Sequence, residues 1–382
     1  MGREQISIRR FPELNNHCTP KKCTQMDVKH PKGSYNMIKN LVLTLCAMLG
    51  LVMTGCGEKK PVLNIYTWNE YIDMDIVREF EAANNCQVVI GIFDSNEAMW
   101  AKLQHGASGF DVVFPSSYMV KIMAEEGALE EIDKTKLPNL VNIDPNYLSC
   151  SLDANMTYGI PYMVTYTGFA YNKAKVEKEI EPSWNVFATH PELKGRMTLL
   201  ADMRETIGAA LKYKGYSVNT RDPAQLAEAR DIVVEWKRNI AKFENEQYKV
   251  GLASGEFNLV HGYSGDIGQL QLEDENIVFV LPQEGFSLSC DEMVILKESQ
   301  QKELAYKFIN FLHDGKIAAR NIEYTTYWCP NKAAAEFLPD EVKNNPTIFP
   351  REEDIVKGEV IGDLGDALEL YTKTWDEIKN IK

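Results

Sequence analysis

The chain has 382 residues, enough for two domains with separate cores, and its 45% hydrophobic and 25% charged residues are ordinary for a globular protein. It carries 41 Lys and Arg against 55 Asp and Glu; eight of the bases and three of the acids fall in residues 1–55, leaving 33 against 52, a charge of −19, on residues 56–382. A body that acidic repels nucleic acid and anionic membranes and draws cations toward any cleft, although solubility alone also favours acidity.

Residues 1–36 show no hydrophobic period and read as a disordered extension, or as sequence upstream of a start at Met37. The apolar run Leu41–Val52, broken by Thr44, is too short to span a bilayer as a helix. With Lys39 before it and Met53-Thr54-Gly55-Cys56 after it, residues 37–55 read as a secretory signal peptide. The Gly-Cys junction resembles the bacterial lipobox. That resemblance implies a diacylated Cys56 anchored at the outer face of the cell membrane or in the periplasm. Of the other cysteines, Cys86, Cys150, Cys290 and Cys329 are too widely spaced for a metal signature and require no disulfide.

From residue 62, strand and helix alternate. Val62–Thr67 reads as a strand, Asp73 caps a helix through Asn84, and Gln87–Phe93 is a second strand. Ser95 caps a helix ending at Gly106, Phe110–Phe114 is a buried strand, and Tyr118–Glu126 is a helix stopped by Gly127. A second α/β region begins near Thr167. It has strands at Met197–Ala201, Phe257–Tyr263, Ile277–Leu281 and Met293–Leu296, and helices at Asp202–Lys214, Pro223–Ile240, Glu303–His313, Lys316–Glu323 and Gly362–Ile381. Such alternation predicts parallel strands covered by helices, with ligands held at the strands' carboxyl ends. The absence of a Pro/Gly-rich linker suits two domains joined by crossing strands and closing on a hinge.

Five clusters fall at these loops. Tyr66–Tyr71 places Trp68 and Tyr71 around polar groups, an arrangement that can box an ammonium by about 0.5–2 kcal/mol per ring, although Trp68 could equally cap the core. Asp202-Met203-Arg204-Glu205 sets two carboxylates at a helix start, where capping alone would explain them. Gly262–Asp266 puts Asp266 at a crevice lip, and Ser289–Glu292 sets Asp291 and Glu292 before an apolar strand, costly unless solvated or facing a charged ligand. Tyr324–Trp328 is aromatic-dense and could be plain core packing. No Gly-x-Ser-x-Gly, Walker or His-Glu-x-x-His motif is present, and the six histidines are scattered, so neither catalysis nor a cofactor is indicated.

Together, Ile65–Tyr71, Ser95–Leu103, Phe110–Tyr118, Leu199–Leu211 and Leu304–Leu312 resemble, in order, the spermidine/putrescine-binding proteins of bacterial polyamine importers. The resemblance implies an α/β, two-lobed (Venus-flytrap) periplasmic-binding-protein fold, with 62–166 and 291–335 in one lobe and 167–290 and 336–382 in the other. It implies a ligand site of Trp68, Asn69, Tyr71, Ser116, Tyr118, Asp202, Glu205, Tyr263, Asp266, Asp291 and Tyr327, with Asp291 anchoring one terminal amine. It also implies a monomer that serves the permease subunits of an ABC importer. Ser289 stands where spermidine binders carry Trp, and Ile361 where they carry an amide side chain, which leaves the choice of polyamine open. The missing Trp and the extra carboxylate of Asp266 lead to the expectation that putrescine binds at least as well as spermidine. The rival readings are a binder of another small cationic solute and a secreted amine-processing enzyme.

Overall fold

The computed structural model describes residues 59–106 and 109–381. The signal peptide, the preceding extension and Cys56 lie outside the described residues. The chain opens with β1 (Val62–Thr67), α1 (Met74–Asn84), β2 (Gln87–Ile92), α2 (Asn96–Gln104), β3 (Val112–Val113) and α3 (Ser117–Glu125). The caps form as the sequence requires: Asp73 accepts from the Asp75 amide and Ser95 from that of Ala98. Gly106 and Gly127, just past two helix ends, take φ of +88° and +67°, a region most side chains avoid. β1 runs parallel to both β2 and β3, so the loops after these strands emerge along one edge.

The strand β4 (Gly159–Asn172) follows, then β5 (Met197–Leu199), α4 (Met203–Tyr213), α5 (Pro223–Lys237), β6 (Lys242–Phe243), α6 (Tyr248–Ser254), β7 (Leu259–Tyr263) and α7 (Ser264–Glu273). The chain continues through β8 (Ile277–Val280), β9 (Phe286–Ile295), α8 (Lys302–Leu312), α9 (Gly315–Thr325), β10 (Gly358–Val360) and α10 (Leu368–Asn380). The strand order is β2-β1-β3-β9-β4-β7-β5-β6, with β10 beside β9 and β8 beside β4.

Two long strands hold this order together. Residues Gly159–Tyr166 of β4 pair with β9, whereas Thr167–Asn172 pair with β7 and β8. β9 runs from its pairing with β10 at Phe286–Leu288 to its pairing with β3 at Val294–Ile295. One core, with Leu63, Phe80 and Phe308, packs on the β1 side, and another, with Trp184, Trp236 and Tyr371, on the β5 side. Leu338, Val342 and Ile348 bury in the first core, so that packing continues past residue 335, where the sequence reading ended it.

The sequence reading missed β4 and placed only Met293–Leu296 in β9. β4 is buried on both faces, which removes alternation, and it contains Pro161 and Gly168, residues that depress strand propensity. A register shift between Pro161 and Met163 accommodates the proline. The terminal helix begins at Leu368 rather than Gly362. Before it, the Gly362 carbonyl accepts from Arg204 and the Gly362 amide donates to Asn219, which holds the backbone out of a helix. No helix among the described residues is long and apolar enough to cross a membrane.

The β4 crossing is tightly filled. A Cβ added at Gly168 would strike the Val280 carbonyl oxygen and lie 2.9 Å from the Phe279 ring. Gly168→Ala is therefore expected to lose about 1–3 kcal/mol in chemical denaturation. A loss below about 0.5 kcal/mol would show that the crossing can relax around a methyl group.

Candidate functional site

Beside the paired strands β4 and β9, the loops after β1, β3, β5 and β7 surround a cleft partly open to solvent. All eleven candidate residues, from Trp68 to Tyr327, line it. Their placement follows from strand geometry. Along β9, Ser287, Ser289 and Asp291 share one face while Phe286, Leu288 and Cys290 turn into the second core.

Asp291 is 4% exposed and has no cationic partner. Its Oδ2 accepts from Tyr71 Oη at 2.7 Å and its Oδ1 from Ser116 Oγ at 2.7 Å. Ser116 is itself fixed by Asn96, which donates to its hydroxyl at 3.1 Å and accepts from its amide at 3.0 Å. A backbone bridge between Ser116 and Asp291 ties the start of α3 to β9. Burial pushes the Asp291 carboxyl up to about 6, while the two hydroxyl donors pull it back toward the charged form.

Asp202 both caps α4 and lines the cleft. It accepts from the amides of Arg204 at 2.8 Å and Glu205 at 3.1 Å, and from Tyr263 Oη at 3.5 Å. Glu205, one turn on, accepts from Thr167 Oγ1 at 2.7 Å and from Ser287. Burial first and the Asp202 charge second raise Glu205 to about 7, and burial raises Asp202 against the helix amides. Two neighbouring buried carboxyls, one raised by the charge of the other, favour a nearby external cation. Asp266 accepts from Tyr248 and, at 3.2 Å, from Tyr327 Oη; burial raises it too, opposed by these hydroxyls and by Lys249.

The rings stand among these acids. Tyr71 and Tyr327 meet edge to face at 5.2 Å, and Trp68 packs against Phe93 at 4.4 Å with its Nε1 unpartnered, so it lines both cleft and core. Within the Tyr324–Trp328 cluster only Tyr327 lines the cleft; Trp328 packs on Tyr147 at 4.5 Å. Only one of the two acids in Ser289–Glu292 faces the cleft. Glu292 points to the other side of β9, fully buried, where Ser151 Oγ donates to it at 2.6 Å and burial lifts it to about 7.

Seven carboxyl side chains line the cleft against two cations, Arg204 and Lys249. Arg204 is committed elsewhere: it donates to the Gly362 carbonyl at 3.0 Å and to Asn219 at 2.8 Å, with its guanidinium 5.5 Å from the Tyr118 ring centroid and 5.3 Å from that of Tyr371. The sequence reading gave no role to Arg204, Lys249, Asn96 or Thr167. For Asn96 a usable signal existed, since it follows an apolar strand in a polar loop; Thr167 lies inside β4 and gave none. For Lys249, in a short helix after an irregular loop, none did. The cleft is thus anionic and ring-lined, and no cluster of metal-binding side chains occurs among the described residues.

The model of the bacterial extracellular solute-binding protein family matches residues 75–350. The chain is 36% identical over 355 residues to the putrescine/cadaverine-binding protein of Pseudomonas aeruginosa, covering 90% of this chain and 99% of that protein. It is 34% identical over 339 residues to the spermidine/putrescine-binding periplasmic protein of Escherichia coli, covering 88% and 97%. Among solved structures, the TpPotD lipoprotein of Treponema pallidum superposes with a TM-score of 0.75 at 34% identity, covering 83% of this chain and 99% of that one. These matches span nearly the whole described body, and they share its two-lobed fold. The chain belongs to the bacterial extracellular solute-binding proteins.

Proposed function

We propose that the protein captures polyamines outside the cytoplasmic membrane and delivers them, without catalysis, to the permease subunits of an ABC importer. The observation that carries this reading is the set of buried carboxyls at Asp291, Asp266 and Asp202–Glu205, held by hydroxyl and amide donors and facing a ring-lined cleft. Asp291 lacks only a cation, and the other three share two cations, Lys249 and Arg204, that are hydrogen-bonded to other groups. An ammonium supplies three N–H donors and a charge, each charge-assisted bond contributing about 1.5–3 kcal/mol, while Tyr and Trp faces cover the methylenes. The names of the relatives in Pseudomonas aeruginosa and Escherichia coli support the same ligand class.

On this reading one lobe comprises residues 62–166 and 291 to about 350, the other 167–290 and the remainder, and closure bends β4 and β9. The protein acts as a monomer, tethered through a diacylated Cys56, in keeping with the lipoprotein from Treponema pallidum.

Calorimetry with putrescine, against neutral 1,4-butanediol as control, tests the ligand class. The wild type should bind the amine and not the diol, and Asp291→Asn should lose most of the affinity. A carboxyl whose folded pKa is raised contributes stability that is present below its unfolded value near 4 and lost as pH rises through about 6. At pH 8 the empty Asp291→Asn protein should therefore melt at or above the wild-type temperature. A marked fall in melting temperature would assign Asp291 a structural role instead.

For the anchor, Cys56→Ala should shift the protein from the membrane fraction to the soluble one in cells. Retention of the variant on membranes would remove the lipid-anchor reading.

A further inference from the structure

We propose that Lys249 is a built-in ammonium that occupies the place of a third ligand charge and so restricts the cleft to diamines, an inference that rests on the polyamine reading above. Lys249 sits in the first turn of α6 and lines the cleft. Its ammonium donates to the Glu70 carboxylate and to Gln269 Oε1. Lys249 is 19% exposed and Glu70 52%, so the pair lies at the rim, with Lys249 on the inner side. Glu70 takes a φ of +50°, a left-handed conformation rare for a residue with a side chain, in the loop that also supplies Trp68 and Tyr71. Its neighbour Asn69 reaches the same opposing segment, donating to Glu246 at 3.5 Å.

The consequence is electrostatic. A diamine brings two ammoniums, and the carboxyls of Asp291 and of the Asp202–Glu205 pair face the cleft with no ion pair formed, Arg204 near the latter being hydrogen-bonded to Gly362 and Asn219. A triamine brings a third charge, for which the remaining acidic corner is the one formed by Asp266, Glu70, Glu246 and Asp94. In that corner the Lys249 ammonium already holds Glu70 and moderates Asp266. A third ammonium placed there would meet a like charge at short range in a partly desolvated site, where screening is weak. The second lining cation, Arg204, is fixed beside Asp202 and Tyr118, so extension toward that corner meets positive charge as well.

Lys249→Met keeps the stem and removes the charge, and adding Glu70→Gln removes the carboxylate that the first change frees. Calorimetry at one ionic strength compares putrescine and spermidine on the wild type and on both variants. The wild type should bind putrescine at least as tightly as spermidine. Lys249→Met should raise the spermidine-to-putrescine affinity ratio by about tenfold or more, and Glu70→Gln in that background should return it toward the wild-type value. An unchanged ratio in Lys249→Met with putrescine still bound, or a ratio that stays raised in the double variant, overturns this inference and leaves the polyamine reading standing. Binding of neither amine by the wild type overturns both.

Discussion

The site depends on a carboxylate placed in the interior without a countercharge. Asp291 lies in the middle of β9, one of the two strands that run between the cores, and it receives hydrogen bonds from Tyr71 and Ser116 only. Neutral donors compensate part of the desolvation of a charged carboxylate, and a cation would compensate the rest. The empty protein consequently stores an unfavourable interaction that an entering ammonium relieves. Asp266 and the Asp202–Glu205 pair are likewise held by hydroxyl donors, Tyr248, Tyr327, Thr167 and Ser287, but with Lys249 and Arg204 nearby.

The fold is what makes that placement possible. β9 pairs with β4 over Leu288–Val294, and the register sets Asp291 opposite Met163 and Ser289 opposite Thr165. A one-residue slip would turn Asp291 into the core and Cys290 into the cleft, so the pairing of the two crossing strands fixes the chemistry. The hydroxyl donors come from separate elements: Tyr71 from the loop after β1, Ser116 from the start of α3. All three groups fall in one lobe on the reading above, so the carboxylate is already held by its two donors before the cleft closes.

Much of this was legible in the sequence because the informative residues sit at strand ends. Trp68, Tyr71, Ser116, Asp202, Glu205 and Asp266 each follow an apolar strand, and the strand positions alone bring such loops to one edge. Caps at Asp73 and Ser95 were equally plain, since short oxygen-bearing side chains before an apolar period have few other uses. The crossing strands were not legible. β4 is buried on both faces and carries Pro161 and Gly168, and the alternation Ser287, Ser289, Asp291 in β9 marks a polar face only once a cleft is known to be there. Glu292 was indistinguishable from Asp291 by composition, and only the two-residue period of the strand separates the cleft-facing acid from the buried one. Lys249 carried no signal because its partner Glu70 is 179 residues away.

Buried, partly protonated carboxyls await the ligand's charge, and proton exchange on binding measures this directly. Asp291 is raised to about 6 and Glu205 to about 7 in the empty site, so both hold protons part of the time near pH 6. An ammonium bound beside them favours the charged forms, which lowers both values and expels those protons. Calorimetry of putrescine binding at pH 6, in two buffers of different ionisation enthalpy, should show net proton release, with affinity falling as the pH is lowered from 8 to 5. Binding with no proton exchanged, and with an affinity flat across that range, would show that these carboxyls are already fully charged in the empty cleft and do not await the ligand.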